Sequence, residues 1–322
     1  MLEFERELDE LRDRIASLER EADTEAGSDI AARLATLQLE LEARTADAFA
    51  NLTPWQRVQL ARHAKRPHTL DYLERMFTDV VELHGDRRHG DDAAIIAGLA
   101  RLGEIPVMVM GHQKGRTTAE NVERNFGMAH PEGYRKTLRL LKMAERFGLP
   151  VLTFLDTPGA SPTLDDEERG QSWAIAENLA LMARLRTPIV VTVIGEGGSG
   201  GALALGVGDR IIMLEHSVYS VASPEAAAAI IWRDSKYAER AATALRLTAE
   251  ELHRLGLVDR VVAEPPGGAH RDYAGMASAL QHVLVEELAV LREQPIDTLV
   301  DDRYAKFSAM TAYERVPSEA ET

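Results

Sequence analysis

The chain contains no cysteine. Disulfides, thiolate catalysis and any cysteine-ligated zinc or iron–sulfur centre are therefore excluded from it. Positive charge is also scarce. Lysine and arginine number 37 against 52 aspartates and glutamates, a net charge of −15. Nucleic acid is not expected as a main partner, because binding a phosphate backbone needs a basic surface. A local basic pocket for a phosphorylated small molecule stays compatible with this balance. Long apolar runs are missing too. No stretch reaches the roughly 18–20 residues of a membrane span, and the acidic N-terminal segment is no signal peptide. The expectation is a cytoplasmic protein without membrane contact. Apolar residues still make up 45% of 322, enough for one large domain with an appendage.

Phe4, Leu8, Leu11, Ile15 and Leu18 step by four and three, with charged residues between them. Ile30, Leu34, Leu37 and Leu41 repeat the stripe after Gly27–Ser28. The spacing predicts a helical hairpin within residues 1–50. It offers either a contact surface for a partner subunit or a pair of helices packed on the chain's own body. Asn51-Leu-Thr-Pro54 reads as a helix start. Ala93–Leu102 and Ile105–Gly111 read as strands joined by a turn at Gly103–Glu104. Strands and helices then alternate. Val151–Asp156, Ile189–Ile194, Arg210–Leu214 and Val258–Ala263 are predicted strands. Glu168–Leu185 and 274–293 are predicted helices. Ser223 caps a helix at Pro224, Thr248 and Glu251 form a capping box, and Gly256 closes that helix. Residues 51–295 thus form an α/β domain with mostly parallel strands and sites at their C-terminal ends. Residues 296–322 read as a polar, loosely held tail.

One segment stands out. Gly195-Glu-Gly-Gly-Ser-Gly-Gly201 holds five glycines in seven residues between a strand and a short apolar segment. Three functions fit it. Gly195-x-Gly197-x-x-Gly200, with Glu215 twenty residues past Gly195, matches a dinucleotide fingerprint. The stretch from Gly201 to Gly208 is short for the helix that such a motif requires. Gly197-x-Ser199-x-Gly201 matches a hydrolase nucleophile elbow, with Asp259 and His270 downstream in triad order. Third, glycine lets backbone amides approach a ligand closely, and such amides stabilise an oxyanion without reorganising.

The chain also resembles a known family over nearly all its length. The stretches that carry the resemblance are Asn51–Arg57 (NLTPWQR), Phe77–Asp86 (FTDVVELHGD), Gly111–Arg116 (GHQKGR), Asn125–Arg135 (NFGMAHPEGYR), Leu155–Ala160 (LDTPGA), Glu167–Gln171 (EERGQ), Val193–Asp209 (VIGEGGSGGALALGVGD) and Pro266–Arg271 (PGGAHR). They are similar, in order and spacing, to the alpha subunit of bacterial acetyl-CoA carboxylase carboxyltransferase. The resemblance implies a crotonase-like α/β fold, a superhelix of repeated strand–strand–helix units. It implies transfer of a carboxyl group from biotin to acetyl-CoA, giving malonyl-CoA for fatty-acid synthesis. Biotin would ride on a separate biotin carboxyl carrier protein. A beta subunit would complete the site, in an alpha2-beta2 assembly, and would carry the zinc that this cysteine-free chain does not bind. A partner biotin carboxylase would use ATP.

Site roles follow from the same resemblance. The amides of Gly200 and Gly201 would hold the biotin ureido oxygen. Gly197 and Gly198 would let that loop approach closely, and Ser199 would be no nucleophile. Gly159 and Ala160 would offer a second patch of backbone in the same cleft. Lys114 and Arg116, beside His112 and Gln113, would bind a CoA phosphate or bracket the site electrostatically. His130, His216 and His270 have no zinc-motif spacing and read as structural or rim residues. Three positions depart from the family pattern. Ser161 and Thr163 stand where Tyr and Gly are usual, and Ala226 stands where Gly follows Ser-Pro-Glu. A glycine-to-alanine change matters only where φ is positive or the backbone makes a close approach.

Overall fold

The structure is a computed structural model that describes residues 2–22 and 28–310. Two helices come first, α1 (Arg6–Ala22) and α2 (Ser28–Ala50). The stripe Leu8, Leu11, Ile15 and Leu18 is buried between them. Gly27, half of the expected break, lies outside the described residues. The root of the hairpin is tied to the body: Phe4 packs edge-on against Phe49, and Phe49 lies tilted against His216, at 5.8 and 5.5 Å between ring centres. Elsewhere the two helices pack chiefly on each other.

The body follows as α3 (Pro54–Ala61), α4 (Thr69–Met76), β1 (Thr78–Glu82), β2 (Ile95–Leu102), β3 (Ile105–His112), α5 (Thr118–Glu123), α6 (Pro131–Phe147), β4 (Val151–Thr157), α7 (Leu164–Glu168), α8 (Gln171–Met182), β5 (Ile189–Gly198), α9 (Ser199–Leu203), β6 (Arg210–Leu214), β7 (Val218–Ser220), α10 (Pro224–Trp232), α11 (Ala238–Leu245), α12 (Ala249–Arg254), β8 (Arg260–Val262), α13 (Tyr273–Glu293) and α14 (Ile296–Ala309). The strands form one sheet in the order β1-β2-β3-β4-β5-β6-β8, with β7 added beside the end of β5. β1, β2 and β3 are antiparallel and the rest parallel.

The central strands are apolar on both faces, as a sheet covered by helices on both sides requires. Val151, Leu155, Ile189, Val191 and Val193 face a core shared with Leu140, Leu141 and Met182. Leu152, Phe154, Val190 and Ile194 face the other core, with Tyr72 and the buried stripe Met276, Leu280, Leu284 and Leu288. α13 has the length and composition of a membrane span, yet that stripe is spent on this core. Thr53 and Gln56 exchange both bonds of a capping box at α3, and Ser223 caps α10 by accepting from the Ala226 amide.

Two local expectations need correction. Thr248 makes no side-chain cap at α12; its backbone is drawn into a bridge with Val218 instead. The segment after Pro295 begins with a helix, not a loose tail. Arg303 of α14 is buried and makes a two-pronged bridge to Asp209, at 2.7 and 2.8 Å. It also donates to the carbonyls of Met182, Leu185 and Thr187. Asp209 in turn accepts from the Ile189 amide at 2.7 Å, so α14 helps to fix the start of the central strand. Residues 311–322 lie outside the described residues.

Candidate active site

The two middle strands, β4 and β5, end side by side, with Thr157 opposite Gly197. The glycine run is therefore mostly strand and not loop. Gly195–Gly198 complete β5, with β7 on their other side, and Ser199–Gly201 form the first turn of α9. Each glycine has its own physical reason. A Cβ on Gly195 would meet the Asp156 carboxylate, with its carbon at 2.8 Å. One on Gly197 would meet the Tyr219 ring at 2.7 Å. One on Gly198 would collide with Pro158 and with the Thr157 carbonyl at 2.8 Å. One on Gly201 would strike the Ala160 amide nitrogen and the Gly159 carbonyl, whose oxygen is at 2.9 Å. Gly200 differs: its nearest neighbour would be Ile175 Cδ1 at 3.7 Å. The structure thus brings Gly159 and Ala160 against Gly201, and Thr157 and Pro158 against Gly198, backbone to backbone.

The first turn of a helix leaves its leading amides without partners inside the helix, and no side chain caps α9. Gly200 is half-buried and opens on a cavity of about 460 Å³ lined by Leu203, Tyr219, Val221, Leu245, Leu257 and Phe307 among others. This is a mostly apolar recess with backbone donors at its edge. Ser199 has φ +53°, a left-handed backbone at a strand-to-helix turn, as a nucleophile elbow would have. Its supposed partners are elsewhere. His270 bonds Glu5 at 3.0 Å, and Asp259 pairs with Lys306 at 2.9 Å. Among the described residues, Ser199 has no hydrogen-bonded base. For the dinucleotide reading, Glu215 accepts from the Glu264 amide, and α9 spans only five residues.

Beneath the glycines lies a charged network that the sequence did not announce. Lys114 Nζ donates to Asp156 Oδ1 at 2.7 Å and reaches Glu196 Oε2 at 3.4 Å. Asp156 also meets His68 Nδ1 at 3.1 Å and accepts from the Glu196 amide at 3.1 Å. Arg62 bridges Glu196 and Glu225, at 2.6 and 2.5 Å, which links β5 to the start of α10. Burial opposes the charge on Asp156, but Lys114 and His68 outweigh it and hold the carboxyl well below its usual range. Burial likewise opposes the charge on Lys114, and Asp156 and Glu196 more than restore it. Asp156 is thus a fixed, ionised acceptor with its oxygens occupied, unfit as a general acid or base. His112, fully buried, is pushed down to about 4 by burial, and its ring nitrogens have no hydrogen-bond partner among the described residues. It is neutral at pH 7. One signal was present in the sequence: Glu196 is a lone charge in a buried strand, and a buried charge needs a partner.

Arg116 is committed as well. It donates to the carbonyls of Ala64 and Arg66, pairs with Asp71 and lies over the Tyr273 ring. The donors of Lys114 therefore point onto the frame of the site, while those of Arg116 hold α4 and the loop before it. His130 pairs with Asp166 at 2.8 Å. Glu5, His63 and His270 bring three metal-type ligand atoms within 4.8 Å of one another. Arg271 bonds the same Glu5 oxygen at 3.0 Å, so the cluster has the charge balance of an ion-paired clasp. The departures from the family pattern are accommodated. Ser161 and Thr163 both donate to Asp166, and Ala226 sits exposed within α10, where no glycine geometry is required.

Residues 1–311 match the family model described as acetyl co-enzyme A carboxylase carboxyltransferase-like. The chain is 54% identical to the acetyl-coenzyme A carboxylase carboxyl transferase subunit alpha of Halorhodospira halophila, over 96% of this chain and 97% of that protein. It is 55% identical to the subunit of the same name from Azotobacter vinelandii, over 95% and 96%. Among solved structures it is similar to a Pseudomonas malonate decarboxylase hetero-tetramer in complex with coenzyme A, with TM-score 0.55 and 21% identity over 69% of this chain and 89% of that one. It is also similar to transcarboxylase 12S with methylmalonyl-coenzyme A and methylmalonic acid bound, with TM-score 0.54 and 19% identity over 70% and 44%. At these identities the structural likeness shows the fold, which is crotonase-like.

Proposed function

The chain belongs to the acetyl-CoA carboxylase carboxyltransferase alpha-subunit family, and from that premise we propose that it moves a carboxyl group from carrier-borne biotin to acetyl-CoA, giving malonyl-CoA. The observation that supports this most directly is the junction of Gly198–Gly201 with Pro158–Ala160. It sets uncapped backbone amides at the mouth of an apolar recess. The donor set and the apolar lining suit a neutral, ring-shaped urea such as biotin. When bound, biotin supplies the carboxyl group and a site for negative charge on its ureido oxygen.

The chain's own residues do the rest by position. The amides of Gly200 and Gly201 face developing negative charge and need no reorganisation; losing one such donor costs about 2.7–4 kcal/mol. Gly197 and Gly198 let Tyr219 and the Pro158 turn close on the strand, and Gly159 and Ala160 form the facing wall. Lys114 and Arg62 fix Asp156 and Glu196 behind the glycines and keep that wall rigid. Lys114 and Arg116 thus support the site electrostatically more than they bind CoA phosphate directly. Asp156 has its oxygens occupied and His112 is fully buried, so proton removal falls to the substrates or to a partner chain. The name alpha subunit implies a beta subunit, and the hairpin that packs chiefly on itself offers a surface for such a partner. Zinc on that partner, a biotin carboxyl carrier protein and an ATP-using biotin carboxylase complete the proposed complex, in the cytoplasm.

The test is reconstitution. The chain is mixed with its beta partner, acetyl-CoA and a carboxybiotin donor, and malonyl-CoA is measured. Turnover that requires both chains is expected. An inactive complex would refute the proposal, as would labelling of Ser199 in the isolated chain by a fluorophosphonate.

A further inference from the structure

A second recess lies on the flank of α6, on a chain whose net charge is −15. Its volume is about 300 Å³, and it is lined by Asp86, Arg87, Arg88, Arg135, Leu138, Arg139 and Lys142. Five of these are cations and one is an acid. Residues 135, 138, 139 and 142 share one face of α6, because residues three and four apart are neighbours on a helix.

The acid is already neutralised. Asp86 is buried, accepts from Arg135 Nε at 2.8 Å, and takes the amides of Arg88, His89 and Gly90 on its other oxygen. Arg135 is also spent on Glu132 and the Arg169 carbonyl. The nearby Asp91 is occupied by Lys136 at 2.6 Å, the Gly85 amide and His84. What remains are Arg87, Arg88, Arg139 and Lys142. Among the described residues, none of the four has a carboxylate within ion-pair distance.

Two of them converge. Arg87 Nη1 donates to the His84 carbonyl at 2.9 Å, and Arg139 Nη2 donates to the same oxygen at 3.2 Å. Arg139 is held further by the Gly85 carbonyl at 3.2 and 3.0 Å. Two guanidinium groups are thus pinned side by side by neutral acceptors, with no carboxylate paired to either among the described residues. The strain shows in the acid–base balance: burial, and then the charge of Arg87, lower the pKa of Arg139. Like charges held together at a recess, with planar donors still free, fit the oxygens of a phosphoryl group, which guanidinium groups bind in pairs.

We infer that Arg87, Arg88, Arg139 and Lys142 form a binding site for a phosphate ester or diphosphate. The recess is of a size for one or two phosphoryl groups and not for a protein surface. The site shares no lining residue with the recess at the glycine junction and stands whether or not the catalytic proposal does.

The full-length chain is titrated with inorganic pyrophosphate by calorimetry, at low and moderate salt. Wild type is expected to bind, more weakly as salt rises. Arg87→Ala/Lys142→Ala is expected to bind at least about tenfold more weakly, since each charge-assisted contact contributes that much or more. Neither side chain has an ionic partner to lose, and unchanged circular dichroism checks the fold. A second variant, Lys142→Glu, guards against loss of loop structure at Arg87 and is expected to weaken binding in the same direction. If wild type binds pyrophosphate no more tightly than the double variant, the inference is overturned. Coenzyme A and 3′-dephospho-coenzyme A then distinguish sources. Competition by the first alone assigns the site to the substrate's 3′-phosphate. Competition by neither, with binding retained, assigns it to a separate phosphorylated effector.

Discussion

Replacing Gly201 by alanine isolates the role of the glycine junction, because it adds one methyl group and removes no donor. The new Cβ would lie within 3 Å of Ala160 N and of the Gly159 carbonyl carbon and oxygen. Carbon contacts settle at about 3.5–4.0 Å, so the two backbones must part by roughly 1 Å. Neither can yield cheaply. Gly201 follows the central strand, and the Pro158–Ala160 turn is held by the Ser161 amide on the Ala129 carbonyl. Overpacking of this kind costs about 1–3 kcal/mol, against a total stability of about 5–15 kcal/mol, so the chain stays folded. A misplacement of about 1 Å at the chemistry costs on the order of 10²-fold in rate, equivalent to about 2.7 kcal/mol of barrier. The expected result is a kcat of about one hundredth of wild type in the complex with the beta subunit, with KM for acetyl-CoA little changed. Gly200→Ala is the internal comparison. Its Cβ meets only Ile175 at 3.7 Å, and alanine is favoured over glycine in a helix by about 1 kcal/mol. Its loss should stay below about tenfold. Malonyl-CoA formation gives kcat and KM, and urea unfolding gives stability. A Gly201→Ala complex with more than about a third of wild-type kcat would refute the reasoning, as would Gly200→Ala proving the more damaging change.

Ser199→Gly removes the exposed hydroxyl and relieves a positive φ; turnover should stay within about threefold of wild type, whereas loss of activity would revive a role for the hydroxyl. Lys114→Ala leaves Asp156 and Glu196 buried with one fewer cation, and truncating one partner of a buried pair costs about 3–5 kcal/mol; a drop under about 1 kcal/mol in urea unfolding would contradict the network. Acid should loosen the root of the hairpin. Glu5 is held at about 2, where burial opposes its charge and His270 with Arg271 outweigh burial. His63 is pushed down to about 4 by burial and by His270. Both folded values lie below the unfolded ones, so the unfolded chain binds protons first and stability falls as pH drops, from about 6.5 to 4 for His63 and from about 4.5 to 2 for Glu5. Hydrogen exchange in α1 as a function of pH measures this, and His63→Gln should flatten the upper part of the fall.

Much of the frame was legible because it rests on local rules. β2, β3, β4 and β6 begin and end within two residues of their apolar runs, and Thr53 and Ser223 cap the helices they precede. Gly170, at φ +84°, separates α7 from α8, so the helix expected over Glu168–Leu185 runs only from Gln171 to Met182. What was not legible depends on partners distant in the chain. Thr248 has the spacing of a cap, but β7 draws on its backbone. Lys114 and Arg116 read as free cations because nothing near them in sequence shows that Asp156, Glu196 and Asp71 will claim them. The glycine run was recognisable, yet its division into strand and helix turn is set by β7 pairing with residues 196–198. The basic recess joins residues 87 and 139, and no local pattern connects them. The polar sequence after Pro295 hid α14, because its deeply buried residues are a single leucine, Leu299, and an arginine, Arg303.

That arginine also orders events in time. Asp209 waits for a partner 94 residues further along the chain. At about 5–20 residues per second, a ribosome needs roughly 5–20 s to deliver it. Until then the carboxylate that holds the Ile189 amide has no guanidinium to balance it, and the strand carrying the glycine junction is not fully fastened. A product of interrupted translation that stops short of Arg303 would therefore carry the whole glycine run without the tie that sets its strand.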